Sequence, residues 1–340
     1  MNIRLLAAVA IASAMSFSAV GAESLNVWGG GNPETSAYSG VYVPRVIEVL
    51  EENRMAGYTW GGTTAGTVEN AQRVTVNPTD LAVGQYDILK NLNGQPIPGQ
   101  PTLTYKFNFI LGADGNPANL GPECLYIVTN QKGFANFGHV LGDAWNITLA
   151  TGAEGSGSLA TFNNLQRLYP DLNDVQLVNA GGAGDIVSAI LAGEATHGFF
   201  VQRPDPNNDV FKTIKDKGLT IVPVIDIGLD ADYEFKSLKV ANGGLFEAPV
   251  VVDTACTSVA LITGDKSNID PTDTRSARRI DATIERLNEA IKANAEVLRP
   301  NLATWRDMFD SIKDIGSDKL KELFDASVEG LNEAAQKLGN

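Results

Sequence analysis

Apolar positions recur along this chain with two different periods. Short runs rich in Val, Ile and aromatic residues have the length and the bounding residues of strands. They lie at 25–28, 58–60 and 81–83 and in "ECLYIVTN", "WNITLATG", "HGFFVQ", "LTIVPVIDI" and the long β-branched run "VVVDTACTSVALITG". Between them the apolar residues fall at helical spacing. One helix is predicted over 41–52, with Pro44 where a first turn tolerates it. Thr67 is placed to cap a short second helix, and Leu159, Phe162 and Leu165 mark another. The helix within "VQLVNAGGAGDIVSAILAG" is expected to end on Gly193. From residue 270 onward the chain turns helical. Asp270 is the expected cap, Pro271 the first position, and Ile280, Ile284, Leu287, Ile291 and Leu298 one buried face. The tail from Trp305 to Leu338 reads as an amphipathic packing helix, and "NLNGQPIPGQP" as a Pro/Gly-rich excursion from the core.

Strand, glycine loop and helix follow one another at least four times. That alternation predicts an α/β fold with mostly parallel sheets and helices on their faces. Ligands of such sheets bind beyond the carboxyl ends of the strands, where these glycine loops would sit.

The loop "TGAEGSGS" resembles a phosphate cradle, but a P-loop requires a lysine directly after its last glycine. Here Gly157 is followed by Ser158, and the next lysine is Lys212, which argues against a nucleoside triphosphatase. Two readings of the loop stay open: backbone N–H groups and hydroxyls presented to a carboxylate, or a tight strand-to-helix turn without a ligand.

Composition narrows the picture. The formal net charge of −14 argues against a nucleic-acid partner, whose phosphates call for clustered Lys and Arg. The 44% hydrophobic and 19% charged residues are globular values, and 340 residues suit two lobes. There is no G-x-S-x-G elbow, and the two histidines, His139 and His197, have no triad context. His197, ahead of an apolar strand, reads as a core residue. No Cys/His cluster exists, so neither a metal nor another cofactor is expected. Arg4, an apolar stretch over 5–14 and Val20-Gly21-Ala22 read as an export signal over residues 1–22, cleaved near Ala22, which predicts a periplasmic protein. In an oxidising compartment Cys124 and Cys256 are either a disulfide or two separately buried small side chains.

Four segments, in order, carry a resemblance to a known family: "TTAGTVENAQRVTVNPTDLAVGQYDIL", "LATGAEGSGSLATFNNL", "AILAGEATHGFFVQ" and "VVVDTACTSVALITGDKSNIDPTD". They resemble the solute-binding proteins of TRAP transporters of the TAXI type and cover most of residues 58–290. "SGVYVP", containing Ser39 and Tyr42, resembles the end of that family's first loop.

The resemblance implies a two-lobed periplasmic binding protein of type II. Each lobe would be a mostly parallel sheet flanked by helices, and two crossing hinge strands would join them near 124–128 and 253–261. Lobe 1 would comprise 23–125 plus 256–340 and lobe 2 would comprise 126–255. Cys124 and Cys256 would both lie on the crossings, where a disulfide would tie the hinge strands together. The implied ligand contacts are Ser39, Tyr42, Thr63, Thr64, Thr67 and Gln85 from lobe 1. From lobe 2 they are Glu154, Ser156, Gly157, Ser158, Gly182, Asp185, Phe200 and Gln202, with a further role left for Arg203 or Arg73. The expected function is capture of a small organic anion, a carboxylate or amino acid, by a non-enzymatic monomer serving TRAP membrane subunits. The alternative is a ligand-sensing subunit for a membrane histidine kinase.

Overall fold

The first strand, β1 (Leu25–Gly30), lies between β2 (Tyr58–Thr64) and β3 (Leu81–Gln85), parallel to both. A computed structural model describes residues 25–338 apart from 35, 230, 232, 244–247 and 301–311. The expected export signal and the first part of the expected tail helix lie outside the described residues.

The connection after β1 makes a π-helical turn over Tyr38–Tyr42 and runs on into α1 (Val43–Glu52), with Pro44 in the first turn. Helix α2 (Thr67–Val76) returns the chain to β3, and α3 (Tyr86–Leu92) follows β3 directly. Thr67 does not cap α2. Gly66 is the cap residue, with φ 138°, and the Thr67 hydroxyl instead accepts the backbone N–H of Gln85 at 3.1 Å. The Pro/Gly-rich excursion forms a two-stranded hairpin, β4 (Pro96–Ile97) and β5 (Gln100–Thr104). Ile97, with Tyr105 beyond it, is buried against Ala71, Val74 and Leu89, so the hairpin covers core rather than leaving it. β6 (Phe107–Phe109) then pairs with a later strand.

The next strand, β7 (Asn119–Thr129), changes neighbours along its length. From Cys124 onward it pairs antiparallel with a strand of the second lobe. That lobe consists of α4 (Phe137–Gly142), β8 (Thr148–Thr151), α5 (Gly157–Leu168), β9 (Gln176–Asn179), α6 (Ala183–Ala192), β10 (His197–Gln202), α7 (Asp209–Asp216), β11 (Thr220–Val222) and β12 (Glu234–Ala241). β10, β8 and β9 are parallel in that order. Helical spacing puts Phe162 and Leu165 of α5, and Ile186, Val187 and Ile190 of α6, into the lobe's cores. α6 ends as the sequence predicts, on Gly193 at φ 77°.

The long β-branched run is a single strand, β13 (Val250–Gly264). Its residues up to Cys256 pair with β12 in the second lobe, and Val259–Thr263 pair with β3 in the first. β7 and β13 pair antiparallel over residues 119–123 and 257–260, and each then runs on into the second lobe beside other strands, β7 beside β10 and β13 beside β12. The strand order is β2-β1-β3-β13-β7-β10-β8-β9, two parallel half-sheets joined through two antiparallel crossings.

α8 (Thr274–Ala293) packs on lobe 1, with Ile280, Leu287 and Ile291 buried and Ile284 partly so. Its cap is Asp273, which accepts the Ser276 N–H at 3.0 Å. Asp270 instead accepts from Thr272 N and Oγ1 in a local turn.

The assignment of the whole segment 256–340 to lobe 1 needs correction. β14 (Ile312–Asp314) pairs with β12, and α9 (Ser317–Leu338) lies on α4, both in the second lobe. Close approach of small residues makes this docking. A Cβ on Gly138 would strike the Ser327 carbonyl, one on Gly142 would strike Ala334, and Asn136 Nδ2 donates to the Ala326 carbonyl at 2.9 Å.

Candidate functional site

The carboxyl ends of both half-sheets face one cleft of about 480 Å³ between the lobes. Lobe 1 supplies Gly30, Gly31, Asn32, Ser36, Tyr38, Thr64, Gly66 and Gln85. Lobe 2 supplies Ser156, Gly157, Ser158, the 181–185 turn, Val201, Gln202 and Val210. Glu123, from the crossing strand β7, completes the wall.

The two glycine loops touch. Gly155 C=O accepts the N–H groups of Val68 (3.2 Å) and Glu69 (3.4 Å) in the first turn of α2. The positive end of α2 is therefore satisfied by the opposite lobe. Glycine is required on both sides of this contact. A Cβ at Gly66 would stand 3.2 Å from Gly157 N, and one at Gly157 would collide with Gln85 Oε1.

α5 and α6 keep their first turns open to the cleft. Ser156 caps α5 by accepting the Leu159 N–H at 3.1 Å, which leaves the N–H groups of Gly157 and Ser158 without an acceptor among the described residues. In α6 the Asp185 carboxylate takes the Gly182 N–H at 2.9 Å, leaving those of Ala183 and Gly184. Two helix N-termini with unengaged donors thus line one cavity, and that arrangement suits an anion.

Glu123 is the buried acid of the site, 5% exposed. Its Oε2 accepts the Tyr38 hydroxyl at 2.7 Å. Burial pushes its carboxyl up to about 8, with the Asp87 carboxylate adding to the rise, against the Tyr38 hydrogen bond and the field of Arg203. Behind it the lobes share a buried network. Asp87 Oδ2 accepts from Tyr233 (2.7 Å) and Thr161 (3.2 Å), both in lobe 2, and Gln85 Nε2 donates to Thr161 at 3.1 Å. Burial raises the Asp87 carboxyl as well.

Of the residues implied by the resemblance, Thr64, Gln85, Ser156, Gly157, Ser158, Gly182, Asp185 and Gln202 line this cleft. The others do not reach it. Ser39 and Tyr42 are buried behind Tyr38, and the Tyr42 ring sits in the lobe-1 core. Thr67 lies within the wall, tied to Gln85 N. Thr63 and Glu154 are exposed outside the cleft. Phe200 points away into the second lobe's core, its ring centroid 5.4 Å from that of Tyr126. Arg203 is held by Asp205 at 2.7 Å, and Arg73 pairs with Glu69 and lies over Trp28; neither lines the cavity. His197 is fully buried and edge-on to Phe134, and burial lowers its imidazole to about 4, the behaviour of a core residue.

Sequence reasoning missed Glu123, Tyr38, Asn32 and Ser36. Glu123 carried a readable signal: an acid opening an otherwise apolar strand, "ECLYIV", must be paired or poised. Tyr38 carried none, because the π-helical turn brings residue 38 rather than 42 to the cleft. The described residues hold no cluster of ligands for a metal ion, and no described helix is long and apolar enough to cross a membrane.

No protein-family model and no characterised protein matches the chain in sequence. Among solved structures it is similar to MatC from Rhodopseudomonas palustris with bound malate, at 14% identity and a TM-score of 0.46, covering 92% of this chain and 97% of that one. It is similar to the glutamate-bound GluR0 ligand-binding core from Nostoc punctiforme, at 14% identity and a TM-score of 0.43, covering 84% and 99%. A third is the VFT2 domain of BvgS from Bordetella pertussis, at 13% identity and a TM-score of 0.41, covering 89% and 92%. These likenesses are too distant to bear on the ligand. The strand order is the firmer ground: two parallel half-sheets, joined by the antiparallel crossings of β7 and β13, give the chain the two-lobed α/β fold of a type II periplasmic binding protein.

Proposed function

We propose that the protein is a periplasmic receptor that closes its two lobes on a small organic anion, a carboxylate or an amino acid, and delivers it to the membrane subunits of a TRAP-type transporter. The observation that carries this reading is the pair of open helix N-termini, α5 and α6, lining one inter-lobe cleft that no lysine or arginine lines. Backbone N–H groups hold a carboxylate without a fixed countercharge, which suits a receptor that must also release its cargo. Two short crossings suit closure about a hinge, and the glycine contact between Gly66 and Gly157 supplies the closed stop. The transporter assignment rests on the sequence resemblance.

A thermal-shift screen tests the binding claim. Organic acids and amino acids should raise the melting temperature, because a ligand at 100 times its dissociation constant adds about 2.7 kcal/mol. Sugars and polyols should not. A shift with neutral solutes and none with carboxylates would reject the anion reading. Deleting the chain's gene should abolish uptake of the same acid if the transport role is right.

A further inference from the structure

Glu123 has a second carboxylate oxygen with nothing to bind. Oε2 is occupied by the Tyr38 hydroxyl, whereas Oε1 has no partner among the described residues, and Glu123 is part of the cavity wall. An acid 95% removed from solvent with one bare oxygen beside a cavity is a site awaiting a donor.

The groups around it identify what that donor must be. Tyr38 and Tyr42 face Glu123 from the π-helical turn, Tyr126 from β7, Asp87 from α3, and Arg203 from beyond β10. The one cation among them, Arg203, is itself held by Asp205. Asp87 adds negative potential. A ligand carrying a second carboxylate near Glu123 would meet two buried acids, while its first carboxylate sat comfortably on α5 or α6. A ligand carrying a cation there would pair with an acid that otherwise has to stay protonated.

Building on the anion reading above, we propose that Glu123 selects α-amino acids. The ligand's carboxylate takes the first-turn N–H groups of α5 and α6, and its ammonium takes Glu123 Oε1. The site then binds a zwitterion at one end by helix dipoles and at the other by a single buried carboxylate. Dicarboxylates and simple carboxylic acids are bound only by a form in which Glu123 carries a proton. The two ligand classes therefore differ by close to one bound proton at neutral pH.

The test is calorimetric titration of the intact mature protein at pH 7, in two buffers of different ionisation enthalpy. The titrants are the standard L-amino acids and, for each that binds, the matched deaminated acid. The proposal expects at least about tenfold tighter binding of the amino acid, the scale of one added charge-assisted hydrogen bond. It also expects the amino-acid complex to hold about one proton fewer than the complex with the deaminated acid. Glu123→Gln should abolish both the preference and the proton difference. Equal affinity with equal proton counts overturns the proposal and leaves the anion reading standing. A preference that survives Glu123→Gln overturns it too. Absence of binding by either class removes the anion reading and this inference together. The wild-type proton count decides the question even if the variant does not fold.

Discussion

Cys124 and Cys256 face each other across the two crossing strands, their Cα atoms 3.9 Å apart, and are joined by a disulfide that spans 132 residues of sequence. The bond sits where β7 and β13 change lobes, one residue after Glu123 on one strand and one before Thr257 on the other. It pins the two hinge strands in register while leaving each lobe's own strands free of it. Non-reduced peptide mass spectrometry should recover the two cysteines in one linked species. Reduction should lower stability by about 2–5 kcal/mol, the usual cost of losing a native bridge, without abolishing ligand binding. Two free thiols would contradict the pairing.

Gly157 is predicted to be the closure stop. Gly157→Val places branched carbons against Gln85 and Thr67 in the opposite lobe, where there is no room for a Cβ. The residue is the first of α5 and is followed by good helix positions, so the lobe itself should fold. Calorimetry with any acid that binds the wild type should show a loss of at least about tenfold, because over-packing of this kind typically costs about 1–3 kcal/mol. Unchanged affinity would mean that binding does not require the two glycine loops to meet.

Acid stability should carry the signature of Glu123 and Asp87. Both carboxyls are raised by burial, so both favour the folded protein when protonated. A raised acid is least costly below its unfolded value, about 4.5 for Glu, and the cost grows as pH rises toward its folded value of about 8. Without ligand, the contribution of Glu123 should weaken by up to about 1.4 kcal/mol per pH unit across that window. Glu123→Gln, which cannot ionise, should flatten the melting temperature over the same range. A slope that is the same in both proteins would contradict the placement of Glu123.

The docking of α9 makes a separate prediction. Gly138→Val would push α9 off α4 at Ser327, where the glycine leaves space for a backbone carbonyl. Stability should fall by about 1–3 kcal/mol, and limited proteolysis should clip the C-terminal helix first. Replacement at Gly184, whose Cβ would meet nothing within 4 Å, is the matched control and should be nearly neutral for stability.

Much of the architecture was legible because the sheet periods and glycine turns are local. "HGFFVQ" and "VVVDTACTSVALITG" are each a strand end to end, and Gly193 closes α6 as its position after the last periodic residue predicts. The site was most legible where it is backbone. Gly157, Ser158 and Gly182 follow from a strand-to-helix turn, and such turns announce themselves by glycine. Side chains were harder to place. Residue 38 or 42 faces the cleft according to one extra residue in a helical turn, and Phe200 points inward or outward according to strand register. Sequence pattern fixes neither. α9 was assigned to the wrong lobe because its apolar stripe, Leu320, Leu323, Phe324 and Leu331, shows that the helix packs without showing on which lobe.

The roles of the two glycine loops also separate by where their donors go. "GGTTAGT" spends the first turn of α2 on Gly155 of the other lobe, so it is a latch. "GAEGSGS" offers that carbonyl to the latch and keeps the N–H groups of Gly157 and Ser158 for the cleft. Only the second is a candidate anion cradle.

A crystal structure of the protein with an acid or amino acid that raises its melting temperature tests the central claim most directly. The account predicts the ligand carboxylate within hydrogen-bonding distance, about 2.7–3.1 Å, of the N–H groups at the start of α5 or α6. Gly66 and Gly157 should remain packed against each other in that complex. A ligand bound outside the cleft, or one lodged in it with its carboxylate turned away from both helix ends, would contradict it.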